Sequence, residues 1–289
     1  MSNTIELAKS FVPKLDECYR LASLTSVLDG APELAKQGAN ANELIIPMMS
    51  MDGLADYSRN GGYVQGGVTM TNETVKCNFD RGRRFDVDVM DDLETAGLAF
   101  GRLSAQFIRD KVVPELDAFR FASYCGISGV TKKEETLADG AATVAALSAA
   151  VTAMDDEEVT ATGRYLFITP TLLQGINDMD TTKSKKVLEG FEQVIKVPQR
   201  RFYTAIKQLS GKTGEEAGGY TKAAGAANIN FAIVQKDALI QYTKHAAPKI
   251  IAPENNPDAD AYVFGYRMVG IAKAYKNMLS GMYFSHDQA

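Results

Sequence analysis

Tryptophan is absent from these 289 residues, and histidine occurs only twice. With His245 and His286 alone, no Ser–His–Asp or Cys–His arrangement can be argued from spacing, and nothing marks a nucleophile elbow. His245, in QYTKHAAP, stands without a partner from which a mechanism could be written. The three cysteines, Cys18, Cys77 and Cys125, lie far apart and form no CxxC pair. They suggest no zinc site, and their reading is reduced, packed thiols. No apolar run approaches the roughly 20 residues that a bilayer span needs, so no membrane partner is expected. The first residues, MSNTIELAKSFVPKLDE, lack an apolar h-region and a small-residue cleavage site. They do not read as a signal peptide, and the chain is expected to be made and kept in the cytoplasm. No catalytic, cofactor-binding or metal-ligating residue is assigned.

A net positive charge is also missing. The net charge is −5, which argues against a broad electrostatic grip on nucleic acid. What remains is an ordinary globular composition, 45% hydrophobic and 23% charged, with enough chain for one large domain or two modest ones.

The strongest positive signal is a long β-ribbon over residues 38–80 that feeds a helix starting near Asp91 and Asp92. The outgoing limb begins with Leu44-Ile45-Ile46 and is expected to stop at Pro47. The return limb alternates, with Val75, Cys77 and Phe79 on one side and Lys76, Asn78 and Asp80 on the other. Between them, YSRNGGYVQGG (residues 57–67) reads as a flexible, glycine-rich tip, either a reaching element or an ordinary surface loop. An isolated two-stranded arm has no second layer to cover its apolar face. Its length therefore points to a partner surface, most simply another copy of the same chain.

Around the ribbon, residues 4–24 pattern as a short amphipathic helix interrupted by Pro13. After a break at residues 80–84, Phe85, Val87 and Val89 alternate with Asp86 and Asp88. The helix that follows has Asp91 or Asp92 as its cap, Glu94 in its first turn, and a stripe of Leu93, Ala96, Phe100, Leu103 and Phe107. Val113, Leu116 and Phe119 continue the stripe past Pro114, where a kink or break is expected. Residues 139–254 read as a separate α/β unit. It contains an alanine-rich helix from Asp139 to about Met154, strands at 165–169, 194–197 and 229–234, a short helix at 171–177 and a flexible loop at 210–227. PENNPDAD (253–260) reads as a linker, and 261–284 as two or three strands around Asn277.

Three motifs invite chemistry and do not sustain it. Gly211-Lys212-Thr213 resembles the end of a phosphate loop, but position 206 is Ile rather than Gly, and Glu215 and Glu216 would repel phosphate. The acidic run Asp86, Asp88, Asp91, Asp92 fails the calcium-loop pattern, which needs Gly and Glu where Asp91 and Gly97 stand. The DRGRR stretch at 80–84 beside that run is either a solvated face or a charge dipole that orients neighbouring copies.

The stretches ELAKSFVPKLDECYRLASLTSVLDG, GANANELIIPMMSMDGLADYSRNGGYVQGGVTMTNETVKCNFDRGRRFDVDVMDDLETAG, FIRDKVVPELDAFRFASYCG and ADAYVFGYRMVGIAKAYKNMLSGMYFS resemble the major capsid proteins of tailed bacteriophages and prophages. The match is most specific over residues 38–125. The resemblance implies an α+β, Hong Kong 97-type major capsid fold. Its parts would be an N-terminal arm (1–37), an extended β-ribbon loop lying on a neighbouring subunit (38–80), and a peripheral domain with a long spine helix (81–138). An axial α/β domain (139–254) and return strands of the peripheral domain (255–289) would complete it.

The implied function is a structural, non-enzymatic subunit. It would assemble in the cytoplasm of a bacterial host into hexamers and pentamers of an icosahedral shell, the virion head, around double-stranded DNA held without sequence specificity. An encapsulin-like compartment packaging cargo enzymes is the alternative. Relatives that weld their shells join a lysine of the extended loop to an asparagine. Residues 38–75 here contain no lysine, so a non-covalent shell is expected. The chain enters the arm directly from Met1, so scaffolding is expected from a separate protein, with a portal as a further partner.

Overall fold

The computed structural model describes residues 23–30, 36–37, 43–90, 105–179 and 182–288. The first helix expected at 4–24 (apart from its last two residues), Cys18, the caps Asp91 and Asp92, and the stripe residues Leu93, Ala96, Phe100 and Leu103 lie outside them.

After a 3-10 turn at Ser26–Leu28 come three antiparallel strands, β1 (Lys36–Gln37), β2 (Glu43–Met51) and β3 (Val68–Lys76), paired in that order. They are the expected ribbon, with one correction. Pro47 does not stop the outgoing limb, which continues to Met51 with Pro47 opposite Asn72. Pro47 lies within the extended limb, where its fixed φ is compatible with a strand although it has no N–H to donate.

Strand β4 (Phe79–Asp88) follows at once. The break expected at residues 80–84 is instead mid-strand, each of the five residues having a register partner on a later strand. Gly82 lets the two backbones meet, since a Cβ there would sit 2.8 Å from the Tyr266 carbonyl oxygen. Residues 105–107 are helical and lead into a π turn at Ile108–Val112 and then helix α1 (Val113–Gly126). The chain stays helical through Pro114. The π turn sends the Val113 N–H to the Ile108 carbonyl, so the backbone is already widened where the proline ring would crowd a regular turn.

Beyond α1 come β5 (Thr131–Glu134), α2 (Gly140–Asp156), β6 (Arg164–Ile168), α3 (Pro170–Asp178), α4 (Thr182–Glu189) and β7 (Gln193–Lys196). Asp139 caps α2 as expected, its carboxylate accepting the Ala142 N–H at 2.8 Å. The remaining strands are β8 (Ile206–Gln208), β9 (Tyr220–Lys222), β10 (Ile229–Gln235), β11 (Leu239–Ile251), β12 (Ala261–Ala274) and β13 (Met282–His286). A five-stranded mixed sheet runs β5-β13-β10-β6-β7, a three-stranded antiparallel sheet runs β11-β12-β4, and β8 pairs with β9.

These sheets divide the chain differently from the boundaries read in the sequence. β13, inside 255–289, lies between β5 and β10 in the five-stranded sheet, while β11, inside 139–254, pairs with β12 along its length. The 253–260 stretch joins β11 to β12 within one sheet and is no domain linker. The reason is visible in β13: Phe284 enters one core and Tyr283 the other, so the strand needs cover on both faces.

The five-stranded sheet is covered on both sides. Phe167, Ala232, Val234 and Phe284 face Phe121, Tyr124 and Phe202. The alternate residues Leu166, Ile168, Phe231 and Ile233 face Leu147 and Met154 of α2 and Leu173 and Ile176 of α3. Helices α2 and α3 touch backbone to backbone. A Cβ on Gly140 would lie 2.1 Å from the Gly175 carbonyl oxygen, so this crossing requires glycine. The three-stranded sheet packs Phe264, Tyr266 and Met268 against Ile108, Val113 and Leu116. α1, the stretch expected to continue the spine helix past Pro114, thus contributes to two cores.

Candidate assembly surfaces

Among the described residues the ribbon is buried at its root, where Val75 packs on Ile240 and Ile271. Over residues 49–72 every position but Gly62 is exposed. Of the ten large hydrophobic side chains exposed among the described residues, eight lie between residues 49 and 70, and Tyr63 is 91% exposed. Scattered apolar residues on a surface are ordinary, but this concentration marks an interaction site.

The tip is more ordered than its glycines suggest. The Asp52 N–H donates to the Gly67 carbonyl at 3.2 Å, and the Gly67 N–H returns to the Asp52 carboxylate at 2.8 Å. Farther out, the Gly62 N–H bonds the Ser58 carbonyl at 2.7 Å, with Gly62 in the left-handed region at φ 73°. The Tyr57 and Tyr63 rings stand 4.9 Å apart. The expected flexible loop is a twice-latched knob carrying Leu54, Tyr57, Tyr63 and Val64.

A second feature anchors the chain that precedes the ribbon. Asp117 is fully buried on α1. Its carboxylate accepts from the Ser23 hydroxyl (2.9 Å), the Leu24 and Thr25 N–H groups (3.1 and 3.3 Å), the Thr25 hydroxyl (2.7 Å) and the Arg201 guanidinium (3.1 Å). One turn on, buried Arg120 donates to the Thr25 hydroxyl at 2.8 Å and to Asp29 at 3.1 Å. Tyr124 then donates to the Gln241 side-chain oxygen at 2.6 Å, and the Gln241 amide donates to the Thr25 carbonyl and to Asp29. Burial pushes the Tyr124 hydroxyl well above its usual range, so it remains a donor. Residues 23–29 are therefore clamped by buried polar groups most of whose partners are supplied, the condition under which buried charge is tolerated, while Arg201 Nε in the same cluster is buried without a partner. This clamp was not read from the sequence. The signal was present, since Asp117, Arg120 and Tyr124 follow i, i+3, i+7 spacing and so share a helix face.

The third feature is a cleft of about 990 Å³ between β4, the start of α1 and the β8–β9 hairpin. Phe79, Phe107, Tyr266 and Met268 supply its apolar lining. Arg81, Arg83, Arg84, Lys111, Arg200 and Lys222 line it against two carboxylates, Asp110 and Glu115. The β4 arginines are engaged inside the subunit. Arg81 pairs with Glu115 at 2.8 Å and donates to the Leu209 carbonyl at 2.7 Å. Arg83 donates to the Glu216 carbonyl at 2.8 Å, and Arg84 pairs with Asp86 at 2.8 Å. Burial raises the Glu115 carboxyl above its ordinary value, opposed by the neighbouring Arg81. The loop at 210–227, expected to be flexible, is pinned to β4 by these guanidiniums.

The other singled-out residues take structural places. Gly211-Lys212-Thr213 lies in that pinned loop, where Glu215 pairs with Lys207 at 2.7 Å. The Lys207 ammonium and the Ser210 N–H hold the Glu215 carboxyl down to about 2. Asp86 and Asp88 are on the exposed side of β4, and Asp80 makes a two-pronged pair with Arg267. His245 sits at an irregularity in β11, and His286 ends β13. Cys77 and Cys125 are free thiols, and burial raises both, Cys125 to about 11. Among the described residues no group of three or more His, Cys, Asp or Glu side chains gathers as a metal site, and no helix is long and apolar enough to cross a membrane.

The chain matches no protein-family model and no curated protein. Solved structures do resemble it. The virus-like particle from Pyrococcus furiosus is similar over 97% of this chain and 99% of that one, with a TM-score of 0.60 and 10% identity. A structure from Gordonia phage Cozz is similar over 93% and 87%, with a TM-score of 0.60 and 10% identity. The capsid of the cyanophage P-SCSP1u is similar over 87% and 85%, with a TM-score of 0.53 and 12% identity. The fold is therefore the α+β, Hong Kong 97-type shell fold, and the resemblance carried by the ribbon and spine sequences is matched in three dimensions.

Proposed function

We propose that this chain is a major capsid protein, a non-enzymatic subunit that self-assembles through hexamers and pentamers into the icosahedral head of a tailed phage. The observation that carries this reading is the ribbon, which exposes eight large apolar side chains on an arm of a shell-type fold. Such an arm is completed by neighbours, and closed symmetry would repeat its modest contacts around a shell. The head would enclose double-stranded DNA without sequence-specific contacts, which the net charge of −5 suits because an anionic lining does not adhere to phosphates. A separate scaffolding protein and a portal would complete assembly in the host cytoplasm.

Deleting residues 57–67 tests the reading. The expected result is a soluble subunit that forms no shells in negative-stain microscopy, while the intact chain forms them. Shells of normal appearance from the deletion would overturn the role of the ribbon.

One observation favours a second reading. The similarity to a virus-like particle covers nearly all of both chains, which suits an encapsulin-like compartment holding cargo proteins. The contents of purified shells separate the two: nuclease-protected DNA supports a phage head, and co-purifying enzymes support a compartment.

A further inference from the structure

We propose that Met49, Met51 and Met70 form an oxidation site on the ribbon, and that their conversion to methionine sulfoxide by a peroxide stops the subunit from assembling. This rests on the self-assembly proposed above and adds a chemical control to it. In the β2–β3 ladder Met49 stands directly opposite Met70, and Met51 opposite Val68. Residues two apart on a strand share a face, and opposite partners lie about 5 Å apart at Cβ. One face of the ribbon therefore gathers three thioethers and a valine. All three thioether side chains are open to water, at 61%, 67% and 69% exposure. Methionines of the cores are the reverse: Met154, Met268 and Met282 are buried, each in a different cluster. Thiols are poorer targets among the described residues. Burial raises both Cys77 and Cys125, and it is the thiolate that reacts.

The reaction needs only a reachable sulfur. A thioether lone pair attacks the O–O bond of hydrogen peroxide. The S–O bond forms as the O–O bond breaks, sulfur gives up two electrons, and the displaced oxygen leaves as water with both peroxide protons. The product is a polar, chiral side chain. Its new oxygen requires a hydrogen-bond donor wherever it is buried. Val68 offers none, and Asn72, next along that face beyond Met70, can meet at most one of the three oxygens. Covering the oxidised face with another copy would bury acceptors without partners, a state that folded proteins and interfaces avoid. The lesion is reversible, because sulfoxide reductases restore the thioether. Assembly in turn covers the sulfurs, so the subunit is vulnerable before the shell forms and protected afterwards.

Hydrogen peroxide treatment of the purified subunit, read by peptide mass spectrometry and negative-stain microscopy, tests the site. The expected result is one oxygen gained at each of Met49, Met51 and Met70, none at Met154, Met268 and Met282, and loss of shells. Methionine sulfoxide reductases for both epimers, supplied with a dithiol, should restore the shells. Peroxide added after assembly should leave the three ribbon thioethers intact. Met49→Leu with Met51→Leu and Met70→Leu, a volume-conserving change, should assemble with or without peroxide. Met90→Leu, at an exposed methionine beyond the ribbon, should stay sensitive. Norleucine in place of methionine keeps the shape and removes the sulfur, and gives a second insensitive form should leucine itself disturb assembly. Subunits oxidised at all three positions that assemble normally, ribbon methionines that react no faster than those of the cores, or sulfur-free ribbons that still lose shells to peroxide would each overturn the proposal and leave the shell reading standing. Shells whose ribbon methionines react as fast as in the free subunit would overturn the protection. A chain that forms no shells before treatment overturns the shell reading and the control of assembly together, and the order of reactivity then decides the oxidation site alone.

Discussion

Strand β10 and the ribbon are both rich in apolar residues, yet all seven residues of β10 are buried while residues 49–72 of the ribbon are almost entirely exposed. β10 has β6 and β13 as neighbours and a packed core on each face. Among the described residues, β2 and β3 have each other, and β1 over two residues. Apolar content alone therefore does not say where a core is; what matters is whether the same chain supplies the second layer. Side-chain type differs too. β10 uses Ile, Phe and Val, which pack in defined rotamers, whereas the ribbon carries Met48, Met49, Met51 and Met70. Methionine is unbranched and polarisable, and it adapts to surfaces it meets only on assembly.

Substitutions that strike the two regions separately can break or sharpen this contrast. Phe231→Ala, in β10, removes a fully buried ring whose centroid stacks 6.2 Å from that of Tyr283. It should cost about 3–5 kcal/mol, a large part of what holds a domain folded, and shift the urea midpoint accordingly; an unchanged midpoint would show that β10 is not central to stability. Asp117→Ala leaves the guanidinium of Arg201, 12% exposed, without its carboxylate and should cost up to about 3–5 kcal/mol. Limited proteolysis should then cut near residues 23–29, and resistance there would show that the clamp is held by something other than Asp117. Leu54→Ser with Tyr63→Ser, on the knob, should change the unfolding free energy of the subunit by no more than about 0.5 kcal/mol while abolishing assembly. A large loss of subunit stability would mean that the ribbon belongs to the fold rather than to the interface.

Much of this contrast was legible in the residues. The alternation Val75, Cys77, Phe79 against Lys76, Asn78, Asp80 placed the return limb correctly, because one face there is covered and the other wet. The stripe Val113, Leu116, Phe119 placed the helix that follows Pro114, and Asp139 placed a cap. Pro47 and the 80–84 stretch misled because each breaks a rule of central, half-buried strands; the 80–84 stretch lies on β4, at the edge of its sheet and mostly exposed. The membership of β13 was hidden because long-range pairing leaves no local trace in a short strand. The clamp at Asp117 was hidden by habit, since charges on an apolar helix face read as solvated until their partners, Thr25 and Arg201, are brought in from 92 and 84 residues away. The cleft is likewise assembled from separated pieces of chain.

Helix α1 sets Val113 and Leu116 in one core and Phe121, Tyr124 and Cys125 in another. A single rod keyed into two hubs transmits load: neither hub can loosen while the rod stays whole. Amide exchange along α1 should therefore follow one opening event for the whole body. A shell built of such bodies would behave as rigid tiles, with its give confined to the seams between them.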